Sequence, residues 1–180
     1  MAGRGPATGM VVLGTLVAAC AVAAAVVPRP STSGPALPAS GPGTATVTLS
    51  PDARDHPEGE IVRSLLQRHF DAINTRNHPG WAATVIPERV AALPEDAFRK
   101  AYATTLDGNV RVDRIEDGAT LPTGSRDLVV RFRFVSVQDP KDAPEQVRTA
   151  RICWASSLPL VGQPRRIGMT GGGSSLPTAC

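Results

Sequence analysis

The sequence predicts an α+β domain in which helices come first and pack on an antiparallel sheet. Three observations predict it. Residues 61–76 repeat apolar side chains at helical spacing, and from Asn109 onward the repeat shortens to two. Everything before Gly59 is either apolar and uncharged or dominated by Pro, Ser, Gly and Thr.

A chain of 180 residues leaves room for one ordinary domain plus appendages. Met10 to Val27 carries no charged side chain, with Arg4 before it and Pro28, Arg29 and Pro30 after it. A bilayer core takes ~20 helical residues and a secretory apolar region ~7–15, so this run lies between the two. We read residues 1–28 first as an N-terminal membrane anchor and second as a cleaved signal peptide. Val17-Ala18-Ala19-Cys20 is similar to a lipobox, which makes a lipidated Cys20 the third reading; the apolar stretch Ala21 to Val27 after the cysteine counts against it. All three readings deliver the remainder outside the cytoplasm and give the chain a membrane contact only through this segment.

Residues 29–58 hold almost no large apolar side chain and are expected to form a disordered linker. Val47-Thr48-Leu49 is the one short strand candidate within it. The formal charge is +3, but two of the 19 basic residues, Arg4 and Arg29, precede the domain. A near-neutral domain lacks the concentrated basic surface that nucleic acid requires, so no such partner is expected.

The domain is expected over residues 59–170. Across Ile61 to Arg76, Ile61, Val62, Leu65, Leu66, Ala72 and Ile73 fall on one arc, with Arg63, Gln67, Asp71 and Asn74 opposite. Asn77-His78-Pro79-Gly80 stops this helix. A short helical turn follows at Trp81 to Val85. Pro94-Glu95-Asp96 then opens a third helix running through Phe98 and Tyr102, with the acids at its positive end. Strands are expected from the alternation in residues 109–117, 127–139 and 146–158, with a shorter one in 165–170. Leu128, Val130, Phe132 and Phe134 share one face of the second strand, and Arg131 and Arg133 share the other. Residues 171–180, beginning Gly-Gly-Gly-Ser-Ser, read as a flexible tail ending in Cys180.

This order of elements resembles the nuclear-transport-factor-2-like superfamily, a cone-shaped, cystatin-like α+β fold. The residues that carry the resemblance are Phe70-Asp71-Ala72-Ile73-Asn74, followed by Asn77 to Ala83 with Trp81 after a short turn. It covers roughly residues 59–170. Secreted or membrane-anchored actinobacterial chains with a tether and one such domain are common in that superfamily. The Arg-rich composition, in which Lys100 and Lys141 are the only lysines, fits a GC-rich genome. The resemblance implies a sheet curved around the first helix and enclosing a pocket. In the isomerases and dehydratases of the superfamily that pocket holds tyrosine, aspartate or histidine. The tyrosine and paired aspartates of the isomerases have no counterpart at matching positions here, and fold alone does not assign function.

His69 lies within the apolar arc of the first helix and is the candidate general base, with Asp113 or Asp127 as a possible acidic partner. A hydrogen-bonded structural histidine is the simpler reading. Trp81, Tyr102, Phe132, Phe134 and Trp154 are candidate pocket residues for an apolar ligand, although with 4% aromatic residues the core also claims them. His56 and His78 are expected to be solvated. No histidine or cysteine spacing suggests a metal site or a cofactor. Arg131, Arg133, Arg148 and Arg151 form either a basic stripe on the outer face or a solvated surface that guards the sheet edge. Cys153 and Cys180 remain once Cys20 is assigned to the leader, and an exported pair invites a disulfide. A bridge closing about 28 residues would restrict the unfolded chain by ~3.6 kcal/mol in the entropic account.

The function expected is that of a non-catalytic binding or interaction module of the cell envelope. It would dimerise through its sheet, meet an envelope protein, or hold an apolar small molecule. The alternative is a small isomerase, dehydratase or hydrolase that uses His69 as its base.

Overall fold

The computed structural model of the protein describes residues 41–120, 126–171 and 174–180. The apolar run Met10 to Val27, with Cys20, and the first part of the expected linker lie outside the described residues. Among the described residues no helix is long and apolar enough to cross a membrane.

The chain is α+β, with elements in the order β1 (Thr48–Leu49), α1 (Pro51–Asp55), α2 (Gly59–Asn74), α3 (His78–Ala82), α4 (Pro87–Ala92), α5 (Glu95–Ala101), β2 (Leu106–Thr120), β3 (Arg126–Val137), β4 (Arg151–Val161), β5 (Arg166–Ile167) and β6 (Ser175–Ala179). A 3-10 turn occupies Pro140–Asp142 between β3 and β4. The sheet order is β1-β2-β3-β4-β5, and β6 also pairs with β4. The sheet is mixed rather than purely antiparallel, because β1 runs parallel to β2. The other pairings are antiparallel.

Structure begins earlier than the composition suggested. Ser50 caps α1 by accepting from Ala53 N and itself donates to the Asp113 carbonyl of β2. Pro51 sits where the first helical turn has no use for an amide hydrogen. Val47 and Ala53 are buried in the core. Residues 41–58 therefore belong with the domain and not with a disordered tether. The Pro-rich composition misleads there because two polar side chains hold the segment from outside it. Asn109 bonds Thr44, and Gln67 of α2 accepts from Val47 N and donates to Ala45 O. Gly108 lets this segment pass close to β2, since an added Cβ would lie 3.0 Å from Thr44 O and 3.1 Å from Pro42 O.

Helix α2 buries Val62, Leu65, Leu66, Phe70, Ala72 and Ile73, together with His69, against the sheet. Ile61, expected on the inward arc, is exposed at the first turn. Gln67 and Asn74, expected opposite that arc, are both engaged with neighbouring backbone. Opposing α2 are Val110, Val112 and Ile115 of β2, Leu128, Val130 and Phe132 of β3, and Leu158 and Leu160 of β4. Each such side chain contributes about 1.5–3 kcal/mol by leaving water. Trp81 and Phe98, from α3 and α5, close the core beside them with ring centroids 5.2 Å apart.

Three register shifts interrupt the pairing of β2 with β3, the last between Asp117 and Thr120, and the first two set the inward face. Asn109 and Val110 together oppose Phe134, with Asn109 at a φ of 51°, and Asp113 is a second extra residue between Val112 and Arg114. Each bulge shifts the inward face by one position, so inward residues run Asp107, Val110, Val112, Ile115 rather than at strict intervals of two.

The C-terminus is also ordered. Strand β6 extends the sheet along Ile152 to Ser156, and Cys180 forms a disulfide with Cys153, their Cα atoms 5.0 Å apart. The expected flexible tail is a strand because its second half pairs with the free edge of β4 and is then tied there.

Candidate functional site

The aliphatic core stops short of one end of the sheet. Beyond it lies a cavity of about 310 Å³, at the lower end of the range for small-molecule sites. Helix α2 supplies His69, Phe70 and Ile73, α4 supplies Arg89, and the end of α5 supplies Tyr102. Strands β2, β3 and β4 supply Asp107, then Phe132, Phe134 and Ser136, then Trp154 and Ser156.

One wall is aromatic. Phe132 and Phe134, two apart on β3, share the inward face with ring centroids 5.7 Å apart. Trp154, the cross-strand neighbour of Phe134, stacks on it at 5.7 Å with an interplanar angle of 5°. Phe70 leans on both phenylalanines from α2.

The polar end is built from single, well-anchored side chains. Asn74 fixes the backbone of Asp107 twice, donating to its carbonyl at 2.8 Å and accepting from its amide at 2.7 Å. The last residue of the Phe70–Asn74 phrase thus locks the start of β2 to α2. The Asp107 carboxyl group reaches its cross-strand neighbour Ser136, whose hydroxyl donates to Asp107 Oδ1 at 2.6 Å. That hydroxyl in turn accepts from Trp154 Nε1 at 2.9 Å, so a short relay joins the aromatic wall to the acid. Burial pushes the Asp107 carboxyl up to about 6, opposed by the Ser136 bond and by Arg76. Arg76, in the turn after α2, directs three hydrogen bonds to the carbonyls of Ile73, Asn74 and Ala103.

The protonation of His69 follows from its partner. The Thr84 hydroxyl donates to Trp81 O at 2.6 Å, so its single proton is committed. It must therefore accept from His69, whose Nδ1 lies 2.8 Å away. His69 is a neutral imidazole with the proton on Nδ1, leaving Nε2 as an acceptor. Burial, reinforced by Arg89, lowers its pKa to about 3. Tyr102 is raised above its ordinary value by burial and then by Asp107, and it stays a phenol.

Of the candidates named from sequence, His69, Tyr102, Phe132, Phe134 and Trp154 meet around this cavity. Trp81 does not: it is 1% exposed in the core, packed on His78 and Phe98. Neither expected acid reaches His69. Asp113 sits on the outer face with Arg133, and Asp127 lies near Arg165. The acid in the cavity is Asp107. The two other histidines are half-buried rather than solvated: His56 accepts from Glu58 N, and His78 contacts Leu93 O.

The outer face carries no unbroken basic stripe. Arg133 makes a bidentate pair with Asp113 at 2.8 and 2.9 Å, and Arg131 bonds Glu116 at 3.1 Å. Arg148 lies in the loop before β4 beside Glu145, and Arg151 donates to Gly41 O. Across-strand pairing with alternating acids explains why the arginines of β3 leave little net field. Among the described residues no group of His, Cys, Asp and Glu has the arrangement of a metal site.

The class these observations define is an α+β domain with a small, half-aromatic cavity and a buried acid at its polar end. Comparison with family models, curated proteins and solved structures gives no match.

Proposed function

We propose that the domain is a non-catalytic binding module of the cell envelope whose cavity holds a small, largely apolar molecule with one polar end. The observation that carries this reading is the convergence of an aromatic wall and a buried acid on about 310 Å³ of space. The nuclear-transport-factor-2-like architecture is part of the proposal, supported by the order of helices and strands, the Phe70–Asn74 phrase and a cavity between α2 and the sheet. The Cys153–Cys180 bridge supports placement outside the cytoplasm, because such bonds persist in oxidising compartments. The apolar run Met10 to Val27 supports an N-terminal membrane attachment.

The experiment is native against denaturing mass of the protein purified from its own host without reducing agent. We expect an added mass in the native spectrum that is lost on denaturation. It should disappear in Ser156→Phe, which fills the cavity from β4. A bare protein whose tryptophan fluorescence also ignores small aromatic probes overturns the reading.

A second reading, a small proton-transfer enzyme, is favoured by one observation. A carboxyl group held at about 6 ionises close to neutral pH, which suits a general base. The base is then Asp107 and not His69, whose Nδ1 proton is committed to Thr84 and whose affinity for a second proton is low.

A further inference from the structure

The cavity's polar end has an excess of acceptors. Asp107 is 4% exposed, lines the cavity, and has only the Ser136 hydroxyl on its carboxyl group among the described residues. One carboxylate oxygen therefore faces the cavity without a donor. His69, fixed as the Nδ1 tautomer by Thr84, also lines the cavity and brings no cation to it. A buried carboxylate without a partner is costly and is normally paired. Neither nearby cation forms a salt bridge with it: Arg76 bonds three carbonyls and acts on the carboxylate only through space, and Arg89 donates to Gly168 O.

We propose that the ligand is a primary amine on a flat apolar or aromatic body, its ammonium bonded to Asp107 and its body laid against Phe134 and Trp154. An ammonium group has three donors and no acceptor, which matches a site that offers acceptors. Its charge completes the missing ion pair, and adjacent aromatic faces attract a cation further. An anionic ligand would bring a second negative charge to Asp107 with Arg89 as its only cation among the lining residues. Arg89 and Tyr102 remain available for an acceptor elsewhere on the ligand.

This inference rests on the binding reading above and refines its ligand class. The charged and titratable groups around Asp107 are Arg76 after α2, His69 on α2, Arg89 on α4, Tyr102 at the end of α5 and Asp142 in the turn after β3. Arg76 lowers the Asp107 pKa through space, but none of these groups forms a salt bridge with the carboxylate. Ammonium binding therefore requires Asp107 to ionise, and affinity should rise with pH through about 6.

The test is calorimetric titration of the intact protein with 2-naphthylmethylamine and with 2-naphthylmethanol, which share a skeleton and differ in the polar group. At pH 7.5 we expect the amine to bind about tenfold more tightly, the worth of one charge-assisted hydrogen bond. The preference should largely vanish at pH 5, where the amine keeps its charge and Asp107 does not. It should vanish in Asp107→Asn at both pH values. Equal binding of the two probes at pH 7.5 overturns the amine inference and leaves the binding reading intact. Binding of neither probe overturns both. The pH series needs only the wild-type protein, so the inference stays open to refutation if the variant does not fold.

Discussion

The inward face of β3 changes character halfway along. Leu128 and Val130 are sealed beneath α2, at 1% and 0% exposure, whereas from Phe132 onward the same face looks onto the cavity. β4 repeats the change, with Leu160 sealed and Trp154 and Ser156 on the cavity wall. In the sealed half the most buried charge is paired, although Trp81 Nε1 and Asp127 Oδ1 are buried without a partner among the described residues. There, Arg165 at 7% exposure bonds both carboxylate oxygens of Glu58, at 2.7 and 2.5 Å. In the open half a carboxyl group is buried with one neutral donor. What sets Asp107 apart is its place: Asp127 Oδ1 is buried where no ligand reaches it, whereas the unpaired acceptor of Asp107 borders a cavity.

The comparison breaks most directly by truncation. Leu128→Ala should cost about 3 kcal/mol in denaturant unfolding, the cost of a cavity in a sealed core. Phe134→Ala removes a larger side chain but should cost only about 1.5 kcal/mol, because that ring already borders space. Equal costs would mean that the cavity closes in solution. Next, Arg165→Met should destabilise by about 2 kcal/mol by leaving Glu58 unpaired against the β4–β5 turn. Glu58 is held below the ordinary carboxylate range, chiefly by its bond to Arg165, so stability from this pair is present at neutral pH and lost on acidification.

The open half has a sharper signature in pH. Asp107, raised to about 6 on folding, binds more protons folded than unfolded, so its contribution is full below pH 4 and declines as pH rises to 6. His69, lowered to about 3, is the opposite case, and its contribution declines as pH falls below 6.5. Between pH 4 and 6 the two nearly cancel. Asp107→Asn should therefore make the stability profile steeper on acidification by ~1.4 kcal/mol per pH unit, read from urea midpoints across that window. An unchanged slope would place Asp107 in water. The smallest effect belongs to the outer face, where Arg133→Ala should change stability by less than about 0.5 kcal/mol despite its bidentate partner, because both groups are solvated.

Much of this division was legible in the residues. The period of 3.6 gave α2 its inward face and put His69 there. Alternation put Phe134 and the sealed residues on one face and the arginines on the other. Ser136, Gln138 and Ser156 also fall at inward positions, and polar residues recurring there were a readable sign that the core stops. Asp107 was not legible, because the bulge at Asn109 moves it inward against the alternation, and a bulge depends on pairing with a distant strand. The ordering of residues 41–58 and of β6 was hidden for a similar reason. Both segments have weak local preferences and are held by partners far along the chain, Gln67 and Asn109 for the first, β4 and Cys153 for the second.

The most direct measurement is the titration of the Asp107 side-chain carboxyl by carbon-13 NMR in protein labelled at aspartate. We expect a midpoint near pH 6 in the free protein, moving down when 2-naphthylmethylamine is added. A midpoint near the ordinary value of 3.8 would mean that Asp107 is already hydrated or paired, and the unpaired acceptor on which the site depends would not exist.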